Sequence, residues 1–309
     1  MPDERCFEHH GPPPHFFIVG APKCGTTSMA EYLNQHPEVF VIRGEPHFFG
    51  SDIDYNSPRL SERQYLRLCS ATGGKPVCGD RSTWYLYSKR AAREIQAFNP
   101  DARIIAMLRN PVDMVASLHA HHYQRGLRDD LERLIDALDA EPARRQGERI
   151  PGNARFPESL LYSEIPRYSE QLERYFEAFG RERVHVIMFD DLKADPARVY
   201  RDTLEFLGVN PEFKAGFEVH NVSSPAPKSF LYRRWKASTW RYRLRSLVPQ
   251  KLYTTLRERR RKRVAASVTR SPRAPLDPAV RARLQRMFAD EIDRLEALLG
   301  RDLSAWRDG

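Results

Sequence analysis

The chain has 309 residues, 41% hydrophobic and 29% charged, a balance that fits a soluble globular protein with a sizeable core and excludes collagenous and disordered chains. Its net charge of +9 is concentrated, because residues 228–270 hold 15 of the 50 Lys and Arg residues against one acid, Glu258. The remaining body is mildly acidic, which excludes a uniformly basic nucleic-acid binder. No run approaches the roughly 18–20 apolar residues of a membrane span. The opening MPDERCFEHHGPPPH lacks the basic-then-apolar layout of a secretory signal. Cys6, Cys24, Cys69 and Cys78 are scattered without a CxxC pair. A cytoplasmic protein with reduced thiols is expected.

Taken in order, residues 1–15 read as a loose, proline-rich tail before a single domain over 16–309. Candidate strands follow at Phe16–Gly20, Val39–Ile42, Pro76–Gly79, Arg103–Leu108 and Val184–Phe189. Helical patterns fill 26–36, 61–70, 88–98, 111–124 and 163–178 between them. Short β-rich runs alternating with helices predict an α/β fold with a P-loop-like parallel sheet covered on both faces. Ligands in such sheets bind beyond the C-terminal strand ends. The stretch 141–157 is rich in Pro, Gly and Arg and reads as a surface loop. From Pro278, Val280, Leu284, Phe288, Ile292, Leu295 and Leu299 recur at helical spacing, and Gly300 ends that closing helix.

The strongest local signal is FFIVGAPKCGTTSMAEYL. A buried strand runs into Gly20–Thr27 and a helix follows. Gly20 and Gly25 have the separation of a Walker loop, but Thr26 holds the usual lysine position and the lysine, Lys23, lies inside the loop. Glycines let the backbone wrap phosphate oxygens, and the new helix offers free N–H groups and a positive dipole end. Thr26 and Thr27 add hydroxyls, and Lys23 adds a point charge. A plain strand-to-helix turn with a solvated lysine has the same outline, yet the combination favours phosphate binding.

PKCGTT after a strand resembles the 5′-phosphosulfate loop of sulfotransferases that use 3′-phosphoadenosine 5′-phosphosulfate (PAPS). IIAMLRNPVDMVAS at 104–117 is similar to that family's 3′-phosphate motif, a strand followed by Arg-x-Pro and, eight residues after the Arg, a Ser. Gly44-Glu45-Pro46-His47-Phe48-Phe49 resembles the Glu-x-x-Phe-Phe segment of the heparan-sulfate-type and related carbohydrate sulfotransferases. LLYSEIPRYSEQLERYFEAFG at 160–180 and LLGRDLSAW at 298–306 look like bacterial members.

The resemblance implies a cofactor site built from Lys23, Cys24, Gly25, Thr26, Thr27, Ser28, Arg109 and Ser117. It implies in-line sulfuryl transfer from PAPS to a hydroxyl of a carbohydrate, lipid or small-molecule acceptor, with Glu45 as general base and Lys23 stabilising charge on the leaving oxygen. His47 is the rival base, since its unperturbed pKa of about 6.5 suits the task, and is otherwise an acceptor-positioning residue. Arg81 in Asp80-Arg81-Ser82-Thr83 stands where the heparan-sulfate-type enzymes carry a lysine, as a sulfuryl clamp or as half of an Asp80–Arg81 pair. No metal is expected.

His119, His121 and His122 in LHAHHYQ tempt a metal reading but lack a completing carboxylate or cysteine, so a polar helix surface lining the cleft is expected. VHVIMFDD at 184–191 looks like a Walker B strand, which keeps a kinase using ATP and magnesium as the alternative. Asp190 or Asp191 capping the next turn explains it as well. The basic segment 228–270 is read as a solvated arm, with peripheral contact to anionic lipid second and a gate for an anionic acceptor third. Lys228, Arg270 and Arg273 are candidates to reach the 3′-phosphate. No nucleic-acid partner is expected.

Overall fold

Phe16–Gly20 (β1) is apolar and buried along its whole length, as a strand covered on both faces must be. In the computed structural model, which describes residues 12–55, 58–124, 129–152, 154–217 and 275–308, it is the central strand of a five-stranded sheet. Its neighbours are Val39–Val41 (β2), Val77–Arg81 (β3), Arg103–Leu108 (β4) and Val184–Met188 (β5), in the order β2-β3-β1-β4-β5. Every pairing is parallel, with Phe17 opposite Asp80 and Ile104, Val41 opposite Gly79, and Leu108 opposite Met188. Gly79 cannot be replaced freely, because an added Cβ would overlap the Phe16 ring on the neighbouring strand.

Helices cover both faces: Thr26–Gln35 (α1), Glu62–Cys69 (α2), Ala91–Phe98 (α3), Pro111–Gln124 (α4), Leu134–Asp139 (α5), Glu141–Arg145 (α6), Tyr168–Phe179 (α7), Phe189–Ala194 (α8), Pro196–Leu207 (α9), Pro278–Leu299 (α10) and Ala305–Asp308 (α11). Local chemistry accounts for their ends. Ser61 and Gln64 form a capping box on α2. Asp277 caps α10 with Pro278 in its first turn, and Gly300 closes it in the left-handed conformation. The parallel arrangement brings the C-terminal ends of β1, β2, β3 and β4 to one edge. The chain leaves β1 for β2 and β3 on one side, then crosses to β4 and β5 on the other. That edge is where such sheets bind ligands.

Three expectations change. Residues 141–157 are not simply a surface loop, because α6 opens them and Glu141 and Arg144 are buried. The Arg144 guanidinium donates to both carboxylate oxygens of Asp129, at 2.8 and 3.1 Å, with both side chains fully buried. Polarity suggested solvent, whereas a partner 15 residues upstream supplies the compensating charge. His15, the last residue of the expected tail, is tied to the sheet, since it donates its N–H to the Cys78 carbonyl and its carbonyl accepts from the Arg103 N–H. α3 and α7 begin later than the patterns suggested, after Arg90 and after the break at Pro166. The basic segment 228–270, with Lys228, Arg270 and Arg273, lies outside the described residues. Among those residues no helix is long and apolar enough to cross a membrane.

Candidate active site

The Gly20–Gly25 loop follows β1 and leads into α1, the strand–loop–helix order expected. Gly25 stands immediately before α1 with φ of 87°, a left-handed conformation that its missing Cβ permits. A Cβ there would lie 3.0 Å from the Phe189 ring, so the loop and α8 also require glycine sterically. Lys23 adopts the same unusual region, with φ of 67°, and a non-glycine residue held there marks a constrained loop. Thr26 is buried in the first turn of α1, while Thr27 and Ser28 are half-buried. The Ser28 hydroxyl is engaged by Tyr32 one turn on. Cys24 is fully buried, its thiol pushed up to about 12 by burial. Its contribution to an anion site is therefore its backbone N–H and not a thiolate.

Arg109 follows β4 beside this loop. One guanidinium nitrogen lies 3.5 Å from the Lys23 carbonyl and another 3.7 Å from Asp113, with the charged centre 4.8 Å above the Phe189 ring. Both polar contacts are long, so its donors are weakly committed and fit an anion at the loop. Ser117 is buried on α4, two turns beyond the strand end. The donor set of backbone N–H groups, hydroxyls, Lys23 and Arg109 suits a nucleotide carrying two separated anionic groups.

The second half of the site assembles around Glu45, in the turn after β2. Arg81, the last residue of β3, donates to Glu45 Oε1 at 2.9 Å and to the Gly44 carbonyl at 2.9 Å. Thr83 donates to Oε2 at 3.2 Å, His47 Nε2 lies 3.0 Å from Oε2, and the Arg155 guanidinium lies 3.7 Å from it. Burial pushes the Glu45 carboxyl up, but the His47 bond and the charges of His47, Arg81 and Arg155 together outweigh it and hold the group down at about 2. His47 moves down for its own reason, burial. Its Nε2 touches both Glu45 and the Arg155 guanidinium. It can donate to the first or accept from the second, so its tautomer decides which contact is a hydrogen bond. The imidazole stacks on Tyr55 at 4.2 Å.

Arg81 therefore pairs with Glu45 and not with Asp80, whose carboxylate accepts from Tyr65, Ser82 and Tyr85. Two of the three histidines of α4 are not polar surface either, while His121 is half-buried. His119 and His122 are buried, the first against the Leu131 carbonyl and the second against the Tyr162 hydroxyl. Asp190 and Asp191 do not cap α8. Asp190 accepts from the Trp306 indole at 2.9 Å, and both oxygens of Asp191 accept from Arg301 at 2.7 Å. Among the described residues no group of three or more His, Cys, Asp or Glu could hold a metal ion.

Arg155, Thr83 and Tyr55 escaped the sequence reading. For Arg155 the one local sign is its place between buried Ala154 and Phe156, an apolar–charged–apolar step inside a polar stretch. A cleft of about 310 Å³ adjoins Arg109, between Asn110, Asp113, Asp190, Arg301 and Trp306. It does not include the phosphate loop, and its acids are already paired, so the chemistry belongs to the strand ends.

Comparison with known proteins agrees with this geometry. A family model described as "Sulfotransferase domain" matches residues 13–230. The chain belongs to the sulfotransferase family. A solved sulfotransferase from Alicyclobacillus acidocaldarius is 28% identical, with a TM-score of 0.70 over 96% of this chain and 99% of that one. The human heparan sulfate glucosamine 3-O-sulfotransferase 6 is 34% identical over 110 residues, covering 35% of this chain and 30% of the relative. A bifunctional heparan sulfate N-deacetylase/N-sulfotransferase 1 from Caenorhabditis briggsae is 26% identical over 69% of this chain and 24% of its own length. The chain thus spans only about a quarter to a third of these two curated relatives.

Proposed function

We propose that this sulfotransferase-family chain moves the sulfuryl group of PAPS onto a hydroxyl of a carbohydrate acceptor that carries negative charge. The observation that carries the reading is the meeting, at one sheet edge, of a phosphate loop flanked by Arg109 with a carboxylate, Glu45, ringed by Arg81, His47 and Arg155. PAPS, when bound, supplies the sulfuryl group. Lys23 and the N–H groups at the start of α1 hold the charge that grows on the leaving oxygen, and Arg109 with Ser117 receives the 3′-phosphate. Glu45 takes the proton of the acceptor hydroxyl, and His47 orients that hydroxyl.

A carboxylate held near 2 is a weak base, so its cations must loosen before it can act. Two guanidiniums against one carboxylate leave an excess of positive charge, which an anionic acceptor offsets. Relatives named for heparan sulfate point to the same class of acceptor. The kinase alternative loses support, because Thr26 stands at the Walker lysine position and Asp190 and Asp191 are both engaged.

Calorimetric titration with adenosine 3′,5′-bisphosphate, beside ATP with magnesium, tests the donor. Turnover of PAPS with heparan sulfate tests the acceptor. Preferential binding of ATP with magnesium would overturn the reading.

A further inference from the structure

We propose that Asp80 is a positioning residue for the Glu45–His47 turn: its buried carboxylate sets the direction of the Ser82 and Tyr85 hydroxyls, whose oxygens then accept the backbone N–H groups of His47, Phe48 and Phe49. Asp80 lies on β3 and is fully buried. Its Oδ2 accepts from Tyr65 at 2.7 Å and Tyr85 at 2.9 Å, and its Oδ1 accepts from Ser82 at 3.0 Å. Each hydroxyl has a single hydrogen. Once that hydrogen points at the carboxylate, the oxygen is free to accept on its other side. Ser82 Oγ accepts the His47 N–H at 3.1 Å, and the Tyr85 hydroxyl accepts those of Phe48 at 2.9 Å and Phe49 at 3.3 Å. The third arm ends on the same turn, because the Tyr65 ring stacks on Phe48 at 4.2 Å.

His47 needs such anchoring. Its φ of 50° is a left-handed conformation that a non-glycine residue keeps only when its surroundings impose it. An acceptor-only carboxylate imposes the direction in a way that an amide cannot. Asparagine would place an NH2 group against Ser82 or Tyr85, and the opposed hydroxyl would turn its hydrogen outward, toward a loop N–H. Burial pushes the Asp80 carboxyl up to about 6 despite three hydroxyls and Arg81. Its folded value exceeds its unfolded one, so its contribution to stability declines as pH rises through about 6. An ionised Asp80 at neutral pH thus disfavours folding, and the order it imposes on the turn accounts for its presence. The titratable groups facing it are Tyr65 from α2, Cys78 and Arg81 on its own strand, Tyr85 after it and, through Ser82, His47.

The effect on catalysis rests on Glu45 being the base, whereas the effect on the turn does not. Residue-resolved amide hydrogen exchange on the full chain separates the two. Ser82→Ala should accelerate exchange at His47 alone, Tyr85→Phe at Phe48 and Phe49 alone, and Asp80→Asn at one of these two sets, the one whose hydroxyl the amide NH2 opposes, each by about tenfold. Protection at 47–49 in the unaltered protein should fall as pH drops through about 6, and the Asp80→Asn protein, which retains His47, should lack that step. In Asp80→Asn, kcat should fall while adenosine 3′,5′-bisphosphate affinity holds. Unchanged exchange at 47–49 in Asp80→Asn, or acceleration spread equally over α2 and β3, would overturn the proposal. Should Asp80→Asn fail to fold, the two single-arm variants decide, and changes not confined to their own amides overturn it. Accelerated exchange with unchanged kcat upholds the positioning role and removes Glu45 as base.

Discussion

The two halves of the site are built in opposite ways. The donor side is nearly contiguous, since Gly20–Ser28 supplies its own turn, helix start and charge, and Arg109 just after β4 with Ser117 on α4 completes it. The acceptor side is a mosaic. Glu45 and His47 follow β2, Arg81 ends β3 with Thr83 just beyond it, and Arg155 arrives from a segment about 110 residues after Glu45. Phosphate is recognised by backbone N–H groups that any sequence with the right glycines can present. Tuning a base takes several charged side chains, and those must come from separate segments.

If the halves are separable, each should fail alone. Glu45→Gln should lower turnover by about 10²–10⁴-fold and leave adenosine 3′,5′-bisphosphate affinity untouched; calorimetry beside steady-state kinetics checks both, and full activity would remove Glu45 as base. Arg144→Ala leaves Asp129 buried without its cation and should cost about 3–5 kcal/mol in chemical denaturation. In the protein that remains folded, bisphosphate binding should survive. Arg109→Ala should weaken bisphosphate binding by about 1.5–3 kcal/mol, the worth of hydrogen bonds to a charged group, while the Glu45 pH dependence stays as it was. Equal damage to both halves would break the division.

Arg155→Ala should have the smallest effect and the most informative one. Arg155 helps to hold Glu45 down, so its loss should raise the carboxyl pKa. The ionised base is then lost at a higher pH on acidification, and the acidic limb of the kcat/KM profile should move upward. A limb that stays in place would show that Arg155 does not act on Glu45.

The sheet was legible because its strands are short apolar runs buried on both faces, and β1 and β4 start and stop where the runs do. The strand–loop–helix at 16–35 was legible because its residues are neighbours in the chain. Arg155 was not, because its stretch has the polarity of a loop and only tertiary contact with Glu45 gives that polarity a use. The same limit hid the fates of Asp190 and Asp191, whose partners Trp306 and Arg301 lie more than 100 residues on. It also hid the burial of His119 and His122 behind Tyr162.

The sequence by itself determined the parallel α/β sheet, the glycine loop between β1 and α1 and the placing of Glu45, Arg81 and Arg109 at strand ends, because periodicity, glycine placement and turn chemistry act between near neighbours. Tertiary structure alone decided which cations surround Glu45, that Asp80 points inward to order the turn instead of pairing with Arg81, and which acids are already paired. Charge and hydrogen-bond partners depend on distance in space, and residues far apart along the chain meet only once the fold has closed.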